Sequence, residues 1–384
     1  MSRLQQFLLE TPHPDIELGV PRLPRPFCLA EPSAGVTPRS GVIFYIHGFG
    51  GAYNNEYAQK LLPWLADQYN CVAVAVHYFG AELYQPFDWS LPPDFFQQVS
   101  EAYGIAEAEL TARDATTTVR MLLSLLQARG TQLDRRCHFV RNLPGIYQSF
   151  GLLPALEHLQ VLHQLLQRYP ELDQRRLHVI GTSYGGYIAS FLRKLAPHTF
   201  RMIIDNSGFT ASGDEMGAIF GWSGSTMGGV QVLVRSAEHW EEDPTSPRHF
   251  SPACSALRNL CDGAQLAPSE TAWFGFAAVN DKFFPQGQKD SQARVFALAG
   301  PASYKLVTEA DLDGRLFKNL EHGMAASMRA MFAWCYERLD ELAPATKASQ
   351  ANDFERGSRL RFDCPSRQYL LEFNAASGVV MRVA

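Results

Sequence analysis

The chain has 384 residues, of which 46% are hydrophobic and 19% charged, and its formal net charge is −5. This composition can build a large core and excludes wholesale disorder. Because the acidic balance lacks a basic footprint and the apolar runs are short, we expect neither a nucleic-acid partner nor a membrane span.

Short continuous apolar runs, typical of strands buried on both faces, alternate with stretches of helical periodicity. The predicted strands cover residues 42–46, 71–76, 177–180, 202–204, 272–279 and 304–307, and the predicted helices cover residues 55–68, 107–128, 154–167, 184–195 and 324–339. Alternation of this kind predicts an α/β fold with a mostly parallel, doubly wound sheet.

Three segments interrupt the alternation. Residues 209–270, rich in Gly, Ser and Trp, are interpreted as a cap or lid, and about 130–170 as an extra segment. After a main domain at 1–342, residues 343–384 read as a polar linker and a small β appendage, with short strands at 360–362, 369–373 and 379–383.

Cysteine usage favours a reducing compartment. The seven cysteines are scattered and never spaced as C-x-x-C, so neither a disulfide framework nor a zinc site is expected. The N-terminus has no apolar core followed by a small-residue cleavage site. We therefore predict a cytoplasmic protein that needs no metal or organic cofactor; the sequence leaves its oligomeric state open.

The strongest chemical motif is the sequence GTSYGG at residues 181–186. It fits G-x-S-x-G and lies between a predicted strand and a predicted helix, the setting of a nucleophile elbow. A sharp turn there would lift the Ser183 hydroxyl to the edge of the sheet, beside the positive end of a helix dipole. Ser183 is therefore the predicted nucleophile.

A serine nucleophile needs a base and an acid that orients the base. His322, between the last predicted strand and the last helix, is the candidate base. Asp281, directly after the strand at 272–279, is the candidate acid, and Asp205, at the end of the preceding strand, is its rival. The chain order Ser, Asp, His agrees with the motif's usual order.

An acyl-transfer site also needs N–H donors for the developing oxyanion. The sequence HGFGG at residues 47–51 follows the first strong strand, and its glycines let backbone N–H groups point inward. Phe49 or Gly50 is expected to supply one donor, and Tyr184, the residue after the nucleophile, the other.

Together these motifs resemble the α/β-hydrolase fold superfamily of serine hydrolases, and the SYGGY run at 183–187 is similar to the elbow of prolyl-oligopeptidase-like peptidases. The resemblance covers roughly residues 40–340 in topology. It implies an esterase-like enzyme, a carboxylesterase or deacetylase, that acts on a small-molecule acyl ester through an acyl-enzyme.

Three alternatives remain open at the level of sequence. The same triad could cleave an amide, as in a small peptidase, or pass the acyl group to an alcohol, as in an acyltransferase. The fold could instead be catalytically silent and serve for binding. The aromatic residues Phe209, Phe220, Trp222 and Trp240 of the cap could line an apolar pocket.

Overall fold

The computed structural model describes residues 2–84, 89–110, 114–131, 139–211, 219–227, 230–283, 286–344 and 351–384. The chain forms two compact units. The first comprises Met1–Ala81, Ser149–Glu215 and Phe250–Ala384, and the second comprises Glu82–Gln148 and Met216–His249. The segments predicted as a cap, 209–270, and as an extra segment, about 130–170, each contribute residues to both units.

Strands and helices are numbered along the chain. The strands are β1 (Leu4–Leu9), β2 (Arg25–Ala30), β3 (Gly41–Ile46), β4 (Cys71–Val76), β5 (Trp89–Ser90), β6 (Phe139–Arg141), β7 (Leu177–Thr182), β8 (Met202–Asn206), β9 (Trp222–Met227), β10 (Val230–Ser236), β11 (Ala272–Ala278), β12 (Ala302–Val307), β13 (Arg359–Cys364), β14 (Arg367–Asn374) and β15 (Gly378–Val383). The helices are α1 (Glu56–Tyr69), α2 (Phe95–Tyr103), α3 (Ala115–Ala128), α4 (Leu152–Arg168), α5 (Tyr184–Leu195), α6 (Pro252–Arg258), α7 (Gln286–Ala299), α8 (Met328–Glu337), α9 (Leu339–Leu342) and α10 (Asp353–Arg356).

The first unit is built on an eight-stranded sheet in the order β1-β2-β4-β3-β7-β8-β11-β12. The pairs β1–β2 and β2–β4 are antiparallel, and the remaining pairs are parallel. Strands β3 and β4 are buried at every position, which explains their unbroken apolar sequences. This is the predicted α/β fold with a mostly parallel sheet.

Helix α1 illustrates how local sequence sets these elements. It begins where the Asn55 side chain accepts a hydrogen bond from the Ala58 backbone N–H, and it ends at Asn70, which has a left-handed φ of 48°. Its buried leucines, Leu61 and Leu65, join a core cluster that includes Phe332 of α8. The helix therefore covers one face of the parallel sheet.

Two predicted helices begin later than expected. The helix predicted at 107–128 is α3, which begins after Asp114; residues 107–109 form a separate 3-10 turn, and 111–113 lie outside the described residues. The helix predicted at 324–339 is divided into α8 and α9 and begins at Met328. Left-handed backbone at Gly323, Met324 and Ala325 prevents an earlier start.

The second unit contains a four-stranded sheet in the order β5-β6-β10-β9, together with α2 and α3. Strand β6 pairs in parallel with β10, so two distant chain segments build one sheet. Buried side chains, among them Phe95, Val119 and Phe139, form its own core cluster. This unit therefore has a hydrophobic core separate from that of the first.

The C-terminal strands β13, β14 and β15 form an antiparallel three-stranded sheet within the first unit. A His163 ring nitrogen on α4 lies 2.9 Å from the Ala375 carbonyl oxygen, and the Met381 N–H donates to His13 Nε2 at 2.9 Å. The Tyr369 hydroxyl donates to a Glu17 carboxylate oxygen at 3.1 Å. The appendage is thus fastened to the N-terminal segment and to α4 of its own chain.

Candidate active site

The chain turns sharply between β7 and α5, and Ser183 occupies the turn with φ 55° and ψ −125°. The positions two residues before and two residues after Ser183 have no room for a side chain. A Cβ at Gly181 would lie 2.1 Å from the Gly185 carbonyl oxygen, and one at Gly185 would lie 2.1 Å from that of Ile46. The two glycines permit this approach, and the turn places the serine at the carboxyl edge of the sheet.

His322 approaches the serine from the loop that follows β12. Its Nε2 lies 2.8 Å from Ser183 Oγ, and its Nδ1 lies 2.8 Å from Asp281 Oδ2. The imidazole is 17% exposed and the Asp281 side chain 1% exposed, so solvent reaches the ring while the carboxylate is shielded. The structure therefore brings the three residues predicted as a triad into one hydrogen-bonded chain.

Asp281 follows β11, and its carboxylate is oriented by its own loop. The Phe283 backbone N–H donates to Asp281 Oδ1 at 3.0 Å, which leaves Oδ2 directed at the imidazole. Because each carboxylate oxygen has its own hydrogen-bond partner, the orientation of the carboxylate is fixed. A carboxylate held in this way favours the imidazole tautomer whose proton lies on Nδ1.

Asp205, the rival acid, has different partners. Its Oδ2 accepts hydrogen bonds from Lys289 Nζ at 2.6 Å and from the Ser190 hydroxyl at 2.6 Å. Its Oδ1 accepts from the Gly208 N–H at 2.7 Å. Both members of the Asp205–Lys289 ion pair are fully buried. The structure thus places Asp281, and not Asp205, against the histidine.

The glycine-rich turn after β3 lies beside the serine. The Gly51 N–H donates to the Gly48 carbonyl oxygen at 3.1 Å, and Gly50, the third residue of this turn, has φ 76°. Positive φ at that position is typical of a type II turn and favours glycine. A Cβ at Gly48 would lie 2.9 Å from Ser183 Cβ, so this turn and the elbow are in van der Waals contact.

His47, which precedes the turn, is a buried residue whose role differs from that of His322. Burial lowers the pKa of His47 to about 4, so the ring is neutral near pH 7. It stacks on Tyr78 with 4.5 Å between ring centroids. The Tyr78 hydroxyl lies 3.0 Å from the His47 carbonyl oxygen and donates to it. The pair secures the base of the glycine turn.

Aromatic rings surround the histidine and the turn. The rings of Phe209 and Phe283 lie 6.1 Å and 4.5 Å from the His322 ring, centroid to centroid. Phe49 stacks on Tyr184 at 4.3 Å and lies 5.8 Å from Phe209. Of the aromatics predicted to line a pocket, Phe209 lies at this site. Phe283 was missed by sequence reasoning, although its position two residues after Asp281 was a usable signal.

Asn206, the last residue of β8, and Ser207, which follows it, contact the loop that carries His322. The Asn206 side-chain amide donates to the Gly323 carbonyl oxygen at 3.3 Å, and the Ser207 hydroxyl accepts from the Gly323 N–H at 3.1 Å. Sequence reasoning missed both residues. No pattern within the chain indicates which loop they contact, because Gly323 lies more than a hundred residues away.

A protein-family model described as "Protein of unknown function (DUF2920)" matches residues 11–377. The chain belongs to this family. No curated protein matches it. In the described part of the chain, no helix is long and apolar enough to cross a membrane, and no group of three or more His, Cys, Asp or Glu side chains could hold a metal ion.

Solved structures with a similar fold include an acylaminoacyl peptidase from Pyrococcus horikoshii, with 14% identity and a TM-score of 0.47; the match covers 88% of this chain but 41% of that one. The esterase Pf2001 from Pyrococcus furiosus has 10% identity and a TM-score of 0.43, with 91% and 94% covered. An esterase from Pyrobaculum calidifontis has 12% identity and a TM-score of 0.44, with 89% and 86% covered. This chain thus spans less than half the length of the peptidase.

Proposed function

We propose that this protein is a serine hydrolase that cleaves a carboxylic ester by way of an acyl-enzyme, with Ser183 as nucleophile, His322 as base and Asp281 as the orienting acid. One observation carries the proposal. The histidine lies within hydrogen-bond distance of the serine on one side and of the carboxylate on the other, at 2.8 Å each. Serine hydroxyls are weak nucleophiles, and this arrangement is the one that activates them.

In the first step, His322 Nε2 takes the proton of Ser183 as Oγ attacks the acyl carbon. The imidazolium that forms lies against the Asp281 carboxylate, which stabilises it without taking up a proton. The tetrahedral intermediate then collapses, the carbon–oxygen bond of the ester breaks, and the imidazolium protonates the departing alcohol. An acyl group remains on Ser183.

The oxyanion of the intermediate needs donors already in place. We assign these to the backbone N–H of Tyr184, at the start of α5, and to that of Phe49 or Gly50 in the turn that packs against the serine. The positive end of the α5 dipole adds to the same field. A single donor of this kind contributes about 3 kcal/mol to stabilisation of the transition state.

In the second step, water attacks the acyl carbon and gives its proton to His322. The bond between that carbon and Ser183 Oγ then breaks, the imidazolium returns the proton to Oγ, and the carboxylic acid leaves. The rings of Phe209 and Phe283 beside the imidazole favour an uncharged acyl group over a charged one. An ester is favoured over an amide because its leaving alcohol depends less on protonation than an amine does.

The test is steady-state hydrolysis of p-nitrophenyl esters of increasing acyl length, together with the matching p-nitroanilides. Native protein is expected to cleave the esters with saturable kinetics, and Ser183→Ala to reduce the rate to background. Folded native protein that cleaves no ester, or a Ser183→Ala variant that cleaves as fast, would contradict the proposal. Preferred cleavage of anilides would assign an amidase, and capture of the acyl group by added alcohol would assign an acyltransferase.

A further inference from the structure

The two residues at the end of β8 contact both halves of the site. The Ser183 backbone N–H donates to the Asn206 carbonyl oxygen at 2.7 Å, and the Asn206 side-chain amide donates to Thr182 Oγ1 at 3.2 Å and to the Gly323 carbonyl oxygen at 3.3 Å. One asparagine thereby joins the nucleophile elbow to the residue that follows His322.

Ser207 completes this connection. Its hydroxyl accepts the Gly323 N–H at 3.1 Å, while its own N–H donates to the Phe276 carbonyl oxygen on β11 at 2.8 Å. Ser207 is fully buried and has φ 55°, a conformation that is unfavourable for a residue other than glycine. The turn that this conformation makes brings the hydroxyl to Gly323.

The loop that carries His322 needs such external support. Gly323, Met324 and Ala325 have φ values of 75°, 56° and 41°, three consecutive residues in the left-handed region. Two of them carry side chains, so this backbone is strained and persists only where its surroundings enforce it. The bonds from Asn206 and Ser207 hold both polar groups of Gly323, the first residue of the strained run.

The support itself stands on a rigid base. Asp205, which directly precedes Asn206, accepts hydrogen bonds from Lys289, Ser190 and the Gly208 N–H, and all three residues are buried. Residues 205–208 are therefore fixed to α5 and α7. Because Asn206 and Ser207 are fixed in this way, they do not move with the His322 loop. A displacement of that loop would therefore break their hydrogen bonds to Gly323.

We propose that Asn206 and Ser207 are positioning residues that hold Gly323, and through it the His322 imidazole, in line between Ser183 and Asp281. This inference rests on the proposed hydrolase function. A misplacement of about 1 Å in a reacting group can lower a rate by up to about 100-fold. Loss of one of the two supports is expected to lower the acylation rate about tenfold, with little effect on substrate affinity.

The first variant is Ser207→Gly, which removes the hydroxyl but relieves the positive φ, so the fold is expected to be kept. The chain offers a matched control in Ser366→Gly. Ser366 also has positive φ, 59°, but it is exposed in the turn between β13 and β14, and its hydroxyl donates to the Pro365 carbonyl oxygen. Asn206→Leu, similar in shape, is the second variant and removes the other support.

The measurement is the second-order rate of Ser183 modification by a fluorophosphonate across pH, with circular dichroism and thermal melting as checks of folding. For Ser207→Gly and Asn206→Leu we expect a plateau about tenfold below native. We also expect the KM for a p-nitrophenyl ester to stay near its native value while kcat falls, because the two residues act through the position of His322 and not on the substrate. Ser366→Gly should match the native profile.

Folded Ser207→Gly and Asn206→Leu proteins with a native plateau rate, or with a raised KM and a native kcat, would overturn the inference while leaving the proposed function intact. A rate that falls only in parallel with the folded fraction would overturn it as well, since that is the behaviour of a merely structural residue. Native protein that does not react at all would overturn the proposed function, and with it this inference.

Discussion

Asp281→Asn is the substitution that separates the proposed triad from a chance arrangement of polar residues. The side chain can keep its Oδ1 bond to the Phe283 N–H, so the loop should hold. The amide then presents its NH2 group to His322 Nδ1, where the carboxylate now lies at 2.8 Å. The imidazole must place its proton on Nε2, and that nitrogen can no longer accept the proton of Ser183.

The expected loss follows from this tautomer switch. Substitutions of this kind lower the rate by about 10⁴-fold, which corresponds to roughly 5 kcal/mol of activation free energy. The assay is the rate of acyl-enzyme formation, followed in the stopped flow by p-nitrophenol release near pH 7.5. Asp262→Asn is the matched control, because Asp262 likewise accepts the N–H two residues ahead, from Ala264 at 3.0 Å, and it is expected to react at the native rate.

Asp205→Asn tests the rival acid in the same assay. It breaks a fully buried ion pair with Lys289, so we expect a loss of about 3–5 kcal/mol in unfolding free energy. Because Asp205 also anchors Asn206 and Ser207, the rate per folded molecule should fall by about tenfold at most, far less than for Asp281→Asn. The reasoning is refuted if folded Asp281→Asn retains more than a tenth of the native rate, or if Asp205→Asn, and not Asp281→Asn, abolishes acylation in folded protein.

Three further predictions concern stability. Burial would raise the pKa of Glu17, but the charge and hydrogen bonds of Arg258 hold that pKa below its ordinary value of about 4.3. The pair therefore stabilises the fold above that pH, and this stabilisation is lost on acidification. Glu17→Gln should lower the free energy of unfolding by about 3–5 kcal/mol near pH 7, measured by urea titration. Burial lowers the pKa of His47 and of His158 to about 4, so each ring resists protonation in the folded protein. The free energy of unfolding should therefore fall by roughly 3 kcal/mol per histidine between about pH 6.5 and pH 4. Substitution of either histidine by Gln should reduce this pH dependence in thermal melts. Deletion of residues 358–384 should leave an aggregated chain in size-exclusion chromatography, because it uncovers the buried ring of Phe354, which lies 5.1 Å from that of Phe373, centroid to centroid. A monomeric, cooperatively melting truncation would contradict this.

The sequence was most informative where one local pattern decides the structure. Strand β4 and helix α5 have the predicted bounds, because an unbroken apolar run and a G-x-S-x-G turn each act within a few residues. The fold class is confirmed for the same reason. The roles given to Ser183, Asp281 and His322 stay predictions, although the structure places the three side chains together.

Helix α7 was not found from periodicity because two of its fully buried side chains are polar. Lys289 and Gln292 are fully buried there, while Leu298 is 90% exposed. The buried lysine is satisfied by Asp205, which lies on β8, far away in the sequence. A hydrophobicity pattern assigns such residues to the wrong faces, and the tertiary ion pair accounts for the buried lysine.

The sheet of the second unit could not be predicted from local sequence patterns either. Its sheet depends on the parallel pairing of β6 with β10, in which Phe139 faces Val234 across almost a hundred residues. Short strands of this kind carry little signal of their own, and their partners are set by long-range packing. Reading the segments at 130–170 and 209–270 separately therefore could not reveal that they share one sheet.

The most direct test of the central claim is covalent labelling of the native protein with a fluorophosphonate, followed by digestion and mass spectrometry to locate the adduct. An activated serine is predicted, with a single adduct on the peptide that contains Ser183 and none in Ser183→Ala. Labelling at another serine, or no labelling of folded protein across pH 6–9, would contradict the claim that Ser183, His322 and Asp281 form a working triad.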